Sequence, residues 1–169
     1  MDITILGIDP GTAKMGYGII RAKDSACTPK HFGCFETSRA LPPQKRLFIL
    51  EQHLRKILRE YSPDVIAMES IFFFKNAKTI VRVSQAQWVV LLCAQKHNID
   101  VIEYTPLQVK MALTGYGRAE KSQVQKAVQQ TLLLDAPPKP DDAADALAIA
   151  LCHFWHQRFN DKLSSKKRD

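Results

Sequence analysis

Apolar residues recur along this chain with two periods, and the switches between them mark out its elements. Ile3-Thr4-Ile5-Leu6-Gly7-Ile8 is apolar at nearly every position and ends on Asp9, ahead of the turn residues Pro10, Gly11 and Thr12. A short continuous run of this kind predicts a strand buried on both faces at the centre of a sheet. Gly16-Tyr17-Gly18-Ile19-Ile20 predicts a second strand, antiparallel to the first across a short connection. A polar stretch from Arg21 to Lys30 reads as a loop, and His31 to Thr37 as a third strand at the sheet edge, weakened by Gly33.

The period then lengthens. Pro42 and Pro43 open a helix in which Leu47, Leu50, Leu54, Ile57, Leu58 and Tyr61 form one stripe. Lys45, Arg46, Arg55, Lys56 and Arg59 are expected on its solvated face, without a role in chemistry. Ser62-Pro63-Asp64 ends it, and Val65-Ile66-Ala67-Met68-Glu69 repeats the opening pattern, an apolar run that closes on an acid. A helix between two such strands, after a hairpin, predicts a sheet antiparallel on one side and parallel on the other.

Asn76 is placed to cap a long helix running to Asn98. It carries two apolar stripes, Ile80, Val83, Gln87 and Leu91 on one and Val81, Trp88, Val89 and Leu92 on the other. One stripe is expected on the sheet; the other is covered either by a second subunit or by the last helix of the same chain. A fifth strand follows from Ile99 to Tyr104. A short helix starts at Pro106 and ends near Gly115-Tyr116-Gly117, a further helix spans Glu120 to Leu134, and a final one runs from Asp142 to about Trp155. Residues 1–158 are expected to form one domain, with 159–169 a basic, disordered tail.

Charge narrows the class of partner. The 169 residues hold 24 Lys and Arg against 17 Asp and Glu, a formal charge of +7, which favours a polyanion, nucleic acid before an anionic membrane surface. No segment reaches the length needed to span a bilayer, and the N-terminus enters a strand without a leader pattern, so a cytosolic protein is expected. Cys27, Cys34, Cys93 and Cys152 are scattered without a CxxC pair, which argues against structural zinc or a disulfide framework.

Candidate chemistry lies with the acids. Asp9 alone reads first as a turn residue, since Asp-Pro-Gly is a good turn sequence. Glu69 at the end of a second buried strand changes that balance. Asp142 and Asp145, three residues apart, share one face of the last helix, where Ala143, Ala144 and Ala146 permit a close approach to the sheet. Acids in a first turn also offset the helix dipole, which accounts for Asp141 or Asp142 but less well for Asp145, at the edge of the apolar stripe. Converging carboxylates without sulfur or imidazole suit hard cations, Mg²⁺ or Mn²⁺. Two such ions roughly 4 Å apart would support in-line phosphoryl displacement, so phosphodiester hydrolysis is the expected reaction.

Four segments carry a resemblance in order and spacing: Ile5-Leu6-Gly7-Ile8-Asp9-Pro10-Gly11, Ala67-Met68-Glu69, Ala119-Glu120-Lys121-Ser122-Gln123-Val124-Gln125, and Asp142-Ala143-Ala144-Asp145-Ala146-Leu147-Ala148-Ile149-Ala150. Together they resemble the RuvC-type Holliday junction resolvases. That resemblance implies an α/β, ribonuclease H-like fold with a five-stranded mixed sheet flanked by helices. It implies a homodimer that binds four-way DNA junctions and makes paired nicks in two strands of like polarity, leaving 5′-phosphate and 3′-hydroxyl ends. Asp9, Glu69, Asp142 and Asp145 would be its catalytic, metal-holding acids, with Asp141 as an alternative to Asp142.

The cofactor would be two Mg²⁺ ions per site, with Mn²⁺ as a substitute. Lys110 and Lys121 would lie near the scissile phosphate, and Phe72, the first of the run Phe72-Phe73-Phe74, would stack on an unpaired base at the crossover. A branch-migration helicase complex is the further partner implied. Three rival readings stand beside this one: a nuclease of the same fold acting on ribosomal RNA precursors, a sugar-kinase or actin-like ATPase, and a binding protein whose acids only cap and turn. The ATPase needs two such domains around its nucleotide, and this chain has the length for one.

Overall fold

The structure is a computed structural model that describes residues 2–70 and 77–165, without the side chains of 77–79, 162, 164 and 165. Among these residues five strands, β1 (Asp2–Asp9), β2 (Lys14–Lys23), β3 (Ala26–Glu36), β4 (Val65–Glu69) and β5 (Asp100–Tyr104), form one sheet in the order β3-β2-β1-β4-β5. β1 and β2 pair antiparallel, as do β2 and β3, whereas β1, β4 and β5 run parallel. The expected five-stranded mixed sheet is therefore present, with β3 at one edge.

Among the described residues five helices cover it: α1 (Pro43–Tyr61), α2 (Ala77–Lys96), α3 (Pro106–Thr114), α4 (Lys121–Thr131) and α5 (Asp141–Ser165). Strand alternation assigns them to two layers. Leu6, Ile8, Ile66 and Met68 point into a core with Leu50 and Leu54 of α1 and Val90 of α2. Ile5, Val65 and Ala67 point the other way, into a core with Val109 of α3, Val124 of α4 and the apolar side chains of α5. Each fully buried Leu or Ile in these layers stabilises the fold by about 1.5–3 kcal/mol.

Local chemistry explains the junctions. α1 ends at Ser62, which takes up a left-handed φ of 42° and returns its N–H to the Leu58 carbonyl. Asp64 then ties the connection to β1, accepting the Thr4 N–H on its carboxylate at 2.7 Å and donating its own N–H to the Thr4 carbonyl at 2.9 Å. α3 opens with a reciprocal Thr105–Gln108 capping box and ends on Gly115 at φ 69°.

Four sequence expectations need correction. The polar stretch 21–30 is not a loop: β2 and β3 extend through it to a tight connection at Asp24 and Ser25. Exposed positions of a hairpin tolerate Arg21, Thr28 and Lys30, and Arg21 grips Asp2 of β1 with two hydrogen bonds of 2.9 Å. The last helix continues past Trp155 to Ser165, so residues 159–165, expected to be disordered, are helical. There the Arg158 guanidinium lies 5.5 Å from the Phe154 ring and 5.6 Å from that of Trp155, covering the apolar surface with its stem and charge.

Arg46, expected on the solvated face of α1, is buried at 8 % exposure. Lastly, α5 packs in the layer opposite α2, so it does not cover the second stripe of α2. Val81, Trp88 and Leu92 consequently remain 57, 69 and 56 % exposed. Asn76 and Phe72, Phe73 and Phe74, to which a cap and base stacking were assigned, lie outside the described residues.

Candidate active site

Period-two alternation and sheet register bring two acids together. Ile8 of β1 pairs with Met68 of β4 in parallel register, so Asp9 and Glu69 emerge side by side at the carboxyl ends of neighbouring strands. Both follow the parity of Ile5 and Ala67, and so face the layer that contains α5. Gln87 on α2 holds the end of β4 by donating from Nε2 to the Glu69 carbonyl at 2.8 Å.

Close approach of α5 supplies the other two. A Cβ on Gly16 would run into the Asp142 carbonyl, one on Gly7 into the Ala146 carbonyl, and one on Gly18 into the Leu147 side chain. Glycine on the strands and alanine on the helix thus let α5 settle against β1 and β2, with its amino end over Asp9. Ala143, Ala144, Ala146 and Ala150 are all buried in that contact layer.

The electrostatics record the convergence. Burial, then the charges of Glu69, Asp145 and Asp142 in that order, push the Asp9 carboxyl up to about 7, against a smaller opposing pull from Lys121. Burial also raises Asp145, although its carboxylate accepts a hydrogen bond from Lys121 Nζ at 3.0 Å. Lys121 reaches Asp141 as well, at 3.4 Å. Asp141 itself is exposed and turned toward α4, where Gln125 Nε2 donates to it at 3.1 Å. Glu69, Lys110, Lys121 and Asp145 line one cavity of about 210 Å³, with Val109 and Ile149 as part of its apolar wall.

The expected acids and both lysines therefore share one neighbourhood at the carboxyl ends of β1 and β4. Among the described residues, no three His, Cys, Asp or Glu side chains are already gathered at coordinating spacing. The donor set nonetheless fits a hard cation: it is all carboxylate oxygen, and the cost of keeping Asp9 charged is one that a divalent ion would offset. Glu69, Asp142 and Asp145 are all partly buried, which leaves them accessible from the cleft.

A second group escaped sequence reasoning. Thr37 Oγ1 donates to the Thr12 carbonyl at 2.5 Å, and Arg46 donates to the Thr37 hydroxyl at 2.9 Å and the Thr12 hydroxyl at 3.3 Å. This net fixes the loop that leaves Asp9. The signal was in the spacing, since Arg46 stands four residues before Leu50 and eight before Leu54, on the buried face of α1.

Comparison with known proteins agrees with this arrangement. The profile of the family described as "Crossover junction endodeoxyribonuclease RuvC" matches residues 5–153. A protein of that name from Natranaerobius thermophilus is 48 % identical over 159 residues, covering 94 % of this chain and 99 % of the relative. Another from Syntrophomonas wolfei is 47 % identical over 161 residues, covering 95 and 94 %. A solved structure described as "T. thermophilus RuvC in complex with Holliday junction substrate" superposes with a TM-score of 0.90 at 33 % identity, over 94 % of this chain and 96 % of that one. With the ribonuclease H-like sheet and the clustered acids already in place, these matches show that the chain belongs to the RuvC family of crossover junction endodeoxyribonucleases.

Proposed function

We propose that this chain is a structure-selective endonuclease that resolves four-way DNA junctions by paired, metal-dependent hydrolysis in two strands of like polarity. The observation that carries the reading is Asp9, a partly buried acid surrounded by Glu69, Asp142 and Asp145 and faced by Lys121, in a chain of the RuvC family. That family membership leaves the alternative, processing of ribosomal RNA precursors, without support.

Asp9, Glu69, Asp142 and Asp145 are the side chains that would hold Mg²⁺, two ions per site, with Mn²⁺ as a substitute. Bound there, the ions would supply Lewis-acid charge to the attacking and leaving oxygens of an in-line displacement. The exposure of Asp141 and its bonds to α4 favour Asp142 as the ligand. Lys110 and Lys121, on the wall of the same cavity, orient the scissile phosphate and offset charge that develops on it. The apolar wall of that cavity limits water around the reacting group. The 3′-oxygen departs, so the products carry 5′-phosphate and 3′-hydroxyl ends. Phe72, outside the described residues, is assigned to stacking on an unpaired base at the crossover.

The reading includes one nuclease domain over residues 1–158, a cytoplasmic setting, and a homodimer formed through Val81, Trp88 and Leu92 of α2. A two-fold pair presents two equivalent clefts to the two equivalent strands of a junction. A branch-migration helicase acting on the same junction is proposed from the family likeness alone. Among the described residues no helix is long and apolar enough to cross a membrane.

Competition tests the substrate. Purified protein is offered a labelled synthetic four-way junction with a structured RNA in excess, with and without Mg²⁺. Paired nicks in the junction that require Mg²⁺ and survive the RNA support the reading; preferential cutting of the RNA contradicts it.

A further inference from the structure

Beyond the acids, the loop leaving Asp9 forms one wall of an open groove of about 550 Å³. Gly11, Thr12 and Lys14 come from that loop and the start of β2, Arg39 from the segment after β3, Arg46 from α1 and Arg82 from α2. Glu36 also lines it, and is paired with Lys14 at 2.9 Å. Cations therefore outnumber acids along the lining.

Three features mark this groove as an anion site rather than a scatter of solvated charges. Arg46 is only 8 % exposed, and its two hydrogen-bond acceptors, Thr37 and Thr12, are neutral hydroxyls. Among the described residues no acid forms an ion pair with it. A buried guanidinium without a counter-charge is expensive unless an anion completes the site. The amino end of α1 opens here too: Pro43 lines the adjoining part of the groove, and the helix has no side-chain cap and no acid in its first turn. Its positive dipole end is thus unopposed and adds to the side-chain charges.

Continuity with the acid cluster points to the ligand. Thr12 lies three residues past Asp9, and Lys14 is near enough to Asp142 to feel its charge. A chain molecule carrying one anionic group per repeat could occupy the cleft and the groove together. We propose that the groove holds the phosphodiester backbone of DNA beyond the scissile position, with Arg39, Arg46 and Arg82 as its phosphate-binding side chains. The assignment rests on the nuclease reading and extends it to a second contact surface.

Arg39 and Arg82 are exposed and can be replaced without disturbing the core, whereas Arg46 also holds Thr12 and Thr37. The test measures dissociation constants of Arg39→Ala, Arg82→Ala and the double variant for a four-way junction in EDTA, by fluorescence anisotropy across a salt series. The double variant is expected to bind about tenfold more weakly, with a log–log salt slope shallower by about 1 to 2, equally for arms of different sequence. Lys56→Ala/Arg59→Ala, roughly 15–20 Å further along α1, is the control and should stay within about twofold of wild type. Unchanged affinity and slope in the double variant, an equal loss in the control, or a loss confined to one arm sequence would overturn the proposal. Wild-type protein that neither binds nor nicks the junction would instead overturn the nuclease reading, and this extension with it.

Discussion

Asp9 and Glu69 leave adjacent parallel strands one step beyond the Ile8–Met68 pair, on the same side of the sheet. Two carboxylates in that relation repel, and the amino end of α5 brings two more. Folding this chain therefore places charge where burial makes it costly, an arrangement that serves chemistry better than stability.

Removal of the Asp9 charge should relieve that cost. Metal-free Asp9→Asn is expected to be more stable than wild type above pH 7 by on the order of 1–3 kcal/mol, read as a higher Tm in EDTA. Adding Mg²⁺ should reverse the order, because ligand binding stabilises wild type by mass action and the variant less. Equal Tm values in EDTA would show that the acids do not strain one another.

The α5 contact with β2 has no room for a side chain. Gly16→Ala would drive a methyl group into the Asp142 carbonyl, so the helix must shift. We expect a loss of about 2 kcal/mol or more by denaturant titration, together with weaker Mg²⁺ binding, since Asp142 moves with the backbone. Gly115→Ala is a contrasting case, because its cost comes from the left-handed φ of 69° and not from contact.

Trp88, 69 % exposed, lies on α2 with Val81 and Leu92 on the same exposed stripe. If that stripe forms the dimer, Trp88→Glu converts a dimer to a folded monomer at micromolar concentration, as judged by light scattering with an unchanged circular dichroism spectrum. A wild-type monomer at the same concentration would remove the proposed interface.

Acid should weaken the fold through His153. Burial, and to a smaller extent the neighbouring His156, hold its imidazole below the usual 6.5, against an opposing influence of the nearby Gln157 side chain. Its Nδ1 shares a 2.9 Å hydrogen bond with the Tyr104 hydroxyl. The unfolded chain takes up that proton more readily than the folded one. The contribution is therefore complete above the unfolded pKa and is lost as pH falls from about 6.5 through the lower folded value. Between pH 7 and 5.5 the Tm of His153→Gln should fall less than that of wild type; parallel curves would contradict this.

Much of the architecture was legible because burial writes itself into period. The runs ending at Asp9 and Glu69 are apolar at successive positions because layers cover both faces of the sheet, and that same burial made their terminal acids conspicuous. Where exposure replaces burial the pattern fades. Thr28 and Pro29 belong to β3 by backbone pairing, and Lys30 sits at the register shift between them and His31, none of which leaves an apolar signature in the sequence. The end of α5 was misplaced for a similar reason, since Arg158 covers Phe154 and Trp155 while its charge suggests solvent. Arg46 was hidden by its residue type, as a cation on a buried stripe is visible only if spacing is given priority over charge.

Four carboxylates from distant parts of the chain, Asp9, Glu69, Asp142 and Asp145, are proposed to act as one metal-holding unit on a junction. The most direct measurement is single-turnover cleavage of a saturating synthetic four-way junction in Mg²⁺ by wild type and by Asp9→Asn, with junction binding measured in parallel. Paired nicks by wild type are expected, with a rate reduced about 100-fold or more in the variant and binding within about threefold. Cleavage by Asp9→Asn at the wild-type rate would contradict it.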